Sequence, residues 1–287
     1  PEFANISTKV TYMNLSGGGY FDNQVRGESE GETDMTMWSA SALWQPTDNF
    51  SLQVTYDDVD DDTPTRPVTC LTQAPEFLSF ASPPSECPSF SDSEAHRKTH
   101  TTLDQTASLE LESLTVTAEW QISDAHKATM IYGTREMDET AIQEFDAVSP
   151  NLFWTSRPQF EEQESIELRL ESDFDRFRTT LGVLMWDSEY NLWQNTYFFG
   201  GLFASPWTKQ ETENQAAFGQ IDWDITDSLT LTLGGRYTKD EKDFCQVFTG
   251  APGEGQAAAV TDYDGLPKVP LFAHGTESMC PDWAKGS

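Results

Sequence analysis

Positively charged residues are scarce in this chain of 287 residues, which has 17 Lys and Arg against 48 Asp and Glu. The formal net charge is −31 at pH 7. Because so acidic a surface repels phosphate backbones, we expect no nucleic-acid partner. Aromatic residues nevertheless make up 12% of the chain, which is typical of a folded protein and not of an acidic disordered segment.

Long apolar runs are also lacking. The longest is the segment 181–186, whereas a membrane-spanning helix requires about 18 consecutive apolar residues. This excludes a helical membrane protein. The chain starts at Pro1 without an initiator Met, a basic n-region or an apolar h-region, so we expect any export signal to lie outside this sequence.

Cysteine is rare, with four residues at positions 70, 87, 245 and 280. They form two pairs, and each pair lies in a polar, Pro-rich segment that is typical of a long loop. We expect disulfides between Cys70 and Cys87 and between Cys245 and Cys280, in an oxidising, exported setting. The spacings match no zinc-binding pattern, and no metal site is expected there.

Alternation of apolar and polar residues is the strongest positive signal. Phe50, Leu52 and Val54, for example, alternate with polar residues, which places the two kinds of side chain on opposite faces of a strand. The pattern predicts nine strands, at about 6–15, 35–45, 50–59, 108–122, 128–137, 162–172, 179–191, 214–225 and 229–239.

The connections between these strands alternate between short and long. Short turns are predicted at 46–49, 123–127, 173–177 and 226–228, and long loops at 16–34, 60–107, 138–161, 192–213 and 240–287. Outer-membrane barrels have short periplasmic turns and long extracellular loops, whereas long loops are uncommon in compact soluble domains. The sequence therefore predicts an all-β antiparallel meander that forms part of a transmembrane β-barrel. A soluble, secreted β-sandwich and a general diffusion porin remain as alternatives.

Two segments resemble one family. The segment 218–242, FGQIDWDITDSLTLTLGGRYTKDEK, resembles the strand, Thr-Asp turn, strand and Gly-x-Arg-Tyr ending of TonB-dependent outer-membrane receptors. The segment 163–172, QESIELRLES, is similar to a Glu-Leu-Arg-Leu strand of the same family. The resemblance extends over about 6–242 and implies that residues 1–287 are one partial barrel domain. The plugged transporters have about 22 strands, so the plug, the TonB box and further strands on both sides would lie outside this chain.

The resemblance also implies a function. It implies a receptor in the bacterial outer membrane, in contact with its lipid, that takes up a scarce small-molecule nutrient such as a ferric siderophore. TonB would act through the plug. No enzyme activity or cofactor is expected, because the chain has no nucleophile elbow, phosphate-binding loop or zinc-protease motif.

Aromatic residues in two predicted long loops are the candidate ligand-binding residues. If exposed, they could stack on a siderophore or another flat ligand, and the alternative is that they pack the loops against themselves. They are Phe153, Trp154, Trp193, Tyr197, Phe198, Phe199, Phe203 and Trp207.

Two polar clusters are weaker candidates for metal binding. One is a group of acidic residues after the third strand, namely Asp57, Asp58, Asp60, Asp61 and Asp62. Their spacing does not match an EF-hand, so we expect a solvated acidic rim instead of a Ca²⁺ site. The other is the pair His96 and His100, which would share a face only on a helix, and we expect no metal there.

Overall fold

The computed structural model describes residues 5–70, 86–87 and 95–247, together with the backbone of 2–3, 258–259 and 271–272. All nine predicted strands are present, and each is long. They are β1 (Ile6–Gly17), β2 (Thr33–Thr47), β3 (Phe50–Asp61), β4 (Ala107–Ser123), β5 (His126–Glu144), β6 (Phe153–Phe174), β7 (Phe177–Trp193), β8 (Trp207–Thr226) and β9 (Leu229–Val247).

The nine strands form one antiparallel meander, in which each strand pairs with the next along the chain. The short strand Glu2–Phe3 pairs with β1. Within the described residues no helix is long and apolar enough to span a membrane. The predicted fold class is therefore confirmed: the chain is an antiparallel sheet of the kind that builds barrels.

Two-residue turns join the strands at one end of the sheet. They are Asp48-Asn49, Asp124-Ala125, Asp175-Arg176 and Asp227-Ser228, and each begins with an aspartate. Asp favours such turns because its side chain accepts hydrogen bonds from nearby backbone N–H groups. All four predicted short turns are thus confirmed, and the longer connections lie together at the opposite end.

Several strands are longer than the sequence predicted. β5 continues to Glu144 and β6 begins at Phe153, so the predicted loop at 138–161 is wrong, and the hairpin connection spans only 145–152. β9 likewise continues to Val247, so the C-terminal segment predicted to be a loop from 240 begins later. The reason is that apolar alternation stops well before the backbone hydrogen bonds do.

The predicted loop at 192–213 is also largely ordered as strands. β8 begins at Trp207, and the connection before it contains the short strands Asn195–Phe198 and Gly201–Ala204. These two pair with each other, and Asn195–Phe198 also pairs with the start of β6. The aromatic residues of this segment therefore lie on a structured extension of the sheet.

A buried polar network joins the first two long connections. Phe21–Asn23 pairs with Ser29–Glu30 and with Lys98–Thr99. The Glu30 carboxylate accepts hydrogen bonds from Asn23 Nδ2 at 2.7 Å, Thr99 Oγ1 at 2.6 Å and Thr101 Oγ1 at 3.0 Å. Because buried polar groups with satisfied partners define one arrangement, this network fixes the two connections together.

Candidate ligand-binding surface and membrane-facing wall

One face of the sheet, the outer face, carries a continuous apolar row. Cross-strand pairing aligns one apolar residue from every strand, namely Ile6, Trp44, Leu52, Ala118, Met130, Leu168, Val183, Ala217 and Tyr237. These side chains are not covered by a second sheet among the described residues; Leu168, for example, is 48% exposed. A β-sandwich would bury this face between two sheets, which is not the arrangement of the described residues.

The height of the apolar surface suits a bilayer. On β7 the outward-facing residues from Phe177 to Met185 are apolar except for Thr179. These nine residues extend about 30 Å along the strand, which a barrel tilt of about 40° reduces to roughly 23 Å. Outer-membrane barrels have a lipid-facing band about 25 Å tall.

An acidic row lies on the same outer face, six residues farther along each strand from the apolar row. It crosses seven neighbouring strands and consists of Asp58, Glu112, Glu136, Glu162, Glu189, Glu211 and Asp243. Ionised carboxylates are costly in hydrocarbon. The outer boundary of the lipid therefore lies between the apolar row and the acidic row.

Across β1 to β5 the polarity of the inner face changes along the strands in the opposite direction to that of the outer face. Opposite the lipid-facing band it is largely polar, as at the paired residues Ser41, Thr55 and Thr115. Next to the acidic row it becomes apolar, with a row formed by Met13, Met37, Val59, Leu111 and Met137. Within the lipid the outer face of the sheet is thus apolar and the inner face is polar. Above the lipid, across β3 to β5, the outer face is acidic and the inner face is apolar.

Three of the candidate aromatic residues are buried. Trp154, Tyr197 and Trp207 are 3%, 5% and 5% exposed. The Trp154 and Tyr197 rings stack with centroids 3.6 Å apart, in a cluster with Ile142 and Leu202. These rings stabilise the hairpin extensions and offer a ligand little free surface.

Phenylalanines form an exposed cluster on the other side of the same extensions. The phenylalanine face consists of Phe145, Phe153, Phe198 and Phe203, whose successive ring centroids are 5.2, 4.8 and 5.2 Å apart. Phe153 is paired with Phe198 and shares the inner face of β6 with the polar lumen residues. Sequence reasoning missed Phe145, although it continues the inward-facing alternation of β5 beyond Met137.

The remaining aromatic candidates lie beside this cluster. Phe199 is 71% exposed at the turn after Phe198, and its N–H donates to the Leu152 carbonyl at 2.9 Å. Trp193 is half-buried and lies 6.2 Å from Trp207, ring centroid to centroid. The structure thus brings Phe153, Phe198 and Phe199 together at one exposed surface and places Trp193 on the opposite face.

Two carboxyl groups hold the hairpin that carries Phe145 and Phe153. Glu144 is fully buried, and its Oε2 accepts hydrogen bonds from the N–H groups of Thr102 at 3.2 Å and Leu103 at 3.0 Å. Asp146 Oδ2 accepts from the N–H groups of Leu152 at 2.8 Å and Phe153 at 2.7 Å. Burial and a hydrogen bond with Asp146 raise the pKa of Glu144 to about 8.

The first predicted disulfide is confirmed, and it lies in the longest connection. Cys70 and Cys87 are joined by an S–S bond of 2.05 Å. Next to it, Glu86 accepts hydrogen bonds from Ser149 N and Oγ at the tip of the β5–β6 hairpin. Cys280, the predicted partner of Cys245, lies outside the described residues.

The weaker metal candidates do not converge. Asp58 and Asp60 project from the outer face of β3, whereas Asp57 and Asp61 project from the inner face. His96 lies in the short 3₁₀ helix Ala95–Arg97, and His100 follows the strand after it. Across the described ranges, no group of three or more His, Cys, Asp or Glu side chains is arranged to hold a metal ion.

Comparison with known proteins decides the family. Residues 62–269 match the family described as TonB dependent receptor-like, beta-barrel. The chain belongs to this family. As a TonB-dependent receptor barrel, it is a protein of the bacterial outer membrane, and its apolar row faces the lipid. No curated protein matches the sequence.

Solved structures share the receptor's fold at low sequence identity. The ferric yersiniabactin uptake receptor FyuA from Yersinia pestis matches with a TM-score of 0.64 and 12% identity, over 85% of this chain and 39% of its own. The ferric-catecholate import receptor Fiu from E. coli K12 matches with 0.62 and 14%, over 95% and 46%. The ferric citrate transporter FecA matches with 0.62 and 14%, over 85% and 35%. The chain therefore spans less than half the length of these receptors.

Proposed function

We propose that this chain is the ligand-receiving part of the barrel wall in a receptor that imports a metal chelate, and that the phenylalanine face recognises an aromatic part of that chelate. The observation that carries the proposal is the group of neighbouring rings of Phe145, Phe153 and Phe198 on the inner side of the sheet, above the lipid-facing band. Phe145 and Phe198 are exposed, and Phe153 between them is half-buried. Exposed apolar clusters of this kind mark binding surfaces.

The rigidity of the hairpins supports this role. The face is held from behind by the stacked Trp154 and Tyr197 rings and from the side by the two carboxyl groups. A binding surface on fixed elements loses little conformational entropy when a ligand arrives, which favours affinity. Two of the solved receptors with a similar fold are named for ferric yersiniabactin and for ferric-catecholate import, so a ferric chelate is the cargo class that we propose.

The proposed partners follow from the two faces of the wall. The outer face contacts outer-membrane lipid through the apolar row. The polar inner face suits a lumen that contains water and a plug, and we propose that TonB releases the ligand by acting on that plug. Transport itself would therefore depend on parts of the receptor beyond this wall.

The aromatic preference can be tested with two iron complexes. Whole cells expressing the receptor would be titrated with iron-labelled ferric tris-catecholate and with ferric citrate. In the double variant Phe153→Ala, Phe198→Ala we expect about tenfold weaker binding of the catecholate complex, which corresponds to roughly 1.4 kcal/mol of lost stacking. Ferric citrate has no ring to stack, so its binding should not change.

The matched control is Phe177→Ala, which removes a stacked ring at the end of the sheet that carries the short turns, far from the phenylalanine face. This variant should bind both complexes as the unmodified receptor does. If the double variant weakened both chelates equally, the phenylalanine face would not be a recognition surface. If neither chelate bound to the unmodified receptor, the proposed cargo class would be wrong.

A further inference from the structure

We propose that Glu144 and Asp146 share one proton and form a carboxyl clamp that holds the hairpin with Phe145 and Phe153 against segment 102–105, releasing it when the proton is lost. The inference rests on the proposed function for its biological meaning, because it makes capture at the phenylalanine face depend on pH. The clamp itself stands on contacts that involve no ligand.

The hydrogen bonds identify where the proton must lie. Glu144 Oε2 is occupied by the N–H groups of Thr102 and Leu103, and Asp146 accepts from Leu152, Phe153 and Val148. Glu144 Oε1 is buried, and no backbone or side-chain group among the described residues donates a hydrogen bond to it. A buried carboxylate oxygen without a donor is costly, whereas a protonated oxygen can donate to the neighbouring carboxylate. A proton on Glu144 Oε1 satisfies both groups.

The clamp joins three pieces of chain. Glu144 also donates its N–H to Gln105 Oε1 at 3.1 Å, so both its backbone and its side chain are bonded to segment 102–105. On β6, Trp154 is the direct cross-strand neighbour of Glu144 and presents no ionisable group. Asp146 closes the hairpin by accepting from Leu152 and Phe153. Loss of the clamp would therefore free both ends of the hairpin that positions Phe145 and Phe153.

The other polar or charged groups that the described residues place near the clamp have partners of their own. On segment 102–105, Asp104 forms an ion pair with Arg26 at 2.7 Å, and Arg26 also donates to the Leu103 carbonyl. Glu86, on the disulfide-bonded connection, accepts from Ser149. Tyr197, on the short strand Asn195–Phe198, stacks on Trp154. Asp146 is therefore the carboxylate that faces Glu144 directly.

The direction of the pH effect follows from the raised pKa. Burial, and then the hydrogen bond with Asp146, raise the pKa of Glu144 from 4.5 to about 8. The closed clamp therefore binds a proton that the open hairpin releases between those two values. Its stability is fully present below about pH 4.5 and is lost as the pH rises through 8. Above that pH the buried Glu144 carboxylate and the half-buried Asp146 carboxylate repel each other, and the hairpin opens.

Hydrogen exchange of the clamped amides tests the proposal without a ligand. In the receptor in lipid vesicles, exchange of peptides covering 102–105 and 152–153 would be measured by mass spectrometry from pH 5 to pH 9 and divided by the intrinsic rate at each pH. We expect the opening equilibrium to rise by up to about tenfold per pH unit and to level off above pH 8. A flat profile in the unmodified receptor would overturn the proposal.

Two variants separate the proton from the shape of the clamp. Glu144→Gln keeps the acceptor for Thr102 and Leu103 and donates permanently to Asp146, so its profile should be flat. Asp146→Asn removes the neighbouring negative charge, so its transition should move to lower pH. The matched control is Glu136→Gln, on the exposed outer face of the same strand, which should leave the profile unchanged. Retention of the original profile in Glu144→Gln would exclude proton sharing.

A binding measurement then distinguishes this inference from the proposed function. Binding of ferric tris-catecholate to the unmodified receptor should weaken between pH 7 and pH 9, and binding to Glu144→Gln should not. If the exchange profile follows the proton but catecholate binding is unaffected by pH and by the loss of Phe153, the clamp stands and the ligand assignment falls. If catecholate binding depends on Phe153 while the exchange profile is flat with pH, the ligand assignment stands and the carboxyl clamp is wrong.

Discussion

Gly182 shows how closely neighbouring strands pack on the inner face. It is paired with Phe218, and a Cβ atom at position 182 would lie 2.2 Å from Phe218 Cζ. The Phe218 ring therefore lies over the glycine, and the guanidinium carbon of Arg236 lies 5.8 Å from the ring centroid. This gives the Arg of the Gly-x-Arg-Tyr segment a physical role, because its cation contacts the ring that covers the glycine.

The first prediction follows from this contact. Gly182→Ala must displace the Phe218 ring, and overpacking of this kind costs about 1–3 kcal/mol. The urea midpoint of the folded receptor in vesicles, read from heat-modifiable migration on a gel, should therefore fall. Gly235→Ala is the matched control, since a Cβ there meets no atom within 4 Å. An equal midpoint for the two variants would contradict the packing argument.

Some residues of the candidate surface could be predicted from the sequence and others could not. Aromatic content in the connections drew attention to Phe153, Phe198 and Phe199, which the structure places at one exposed surface. Composition alone did not reveal that Trp154, Tyr197 and Trp207 are buried, because exposure depends on which side of a hairpin a residue faces. Glu144 was overlooked because its partners at 102–103 are distant in sequence.

At the scale of the strands, the sequence revealed where the lipid-facing surface ends, and the structure revealed where the strands themselves end. The predicted ends of β5, β8 and β9 lie where outward apolar residues give way to acidic ones, at about 137, 214 and 239. Alternation of this kind reports what each face contacts, whereas the strand itself is defined by backbone hydrogen bonds, which leave no mark on composition. The sequence thus located the edge of the lipid, and the backbone hydrogen bonds between the strands continue beyond that edge.

The second prediction tests that edge. Cysteines replacing Met130 or Leu168 in the apolar row should be shielded by lipid from a water-soluble maleimide, whereas cysteines replacing Glu136 or Glu162 should react freely. In intact outer membranes we expect a difference in rate of at least about tenfold, since water is excluded from the hydrocarbon. Solubilisation in detergent provides a check on reactivity. Equal rates in the membrane would place the acidic row within the lipid and contradict the assignment of faces.

At the scale of the whole molecule, the acidic residues are not spread evenly. Many of the 48 Asp and Glu lie beyond the apolar row or in the connections at the same end, and the apolar row itself is uncharged. A net charge of −31 would suggest high solubility in water if it were read from composition alone. The fold overrides that expectation, because it concentrates exposed apolar side chains on one continuous surface.

The third prediction concerns this surface. Purified receptor should sediment as a single species in detergent and aggregate when the detergent is removed, because its apolar outer face is then exposed to water. Analytical ultracentrifugation in density-matched detergent gives the measurement. A monodisperse particle in plain buffer, without detergent or lipid, would contradict the membrane assignment of the outer face.

The continuation of the strands past the lipid edge raises the phenylalanine face well above the bilayer. From Glu136 to Glu144, β5 extends about 26 Å, or roughly 20 Å of height after tilt. Charges in physiological salt are screened over about 8 Å. The phenylalanine face therefore lies more than two screening lengths from the bilayer, where the charge of the cell surface has little effect on a charged molecule in solution.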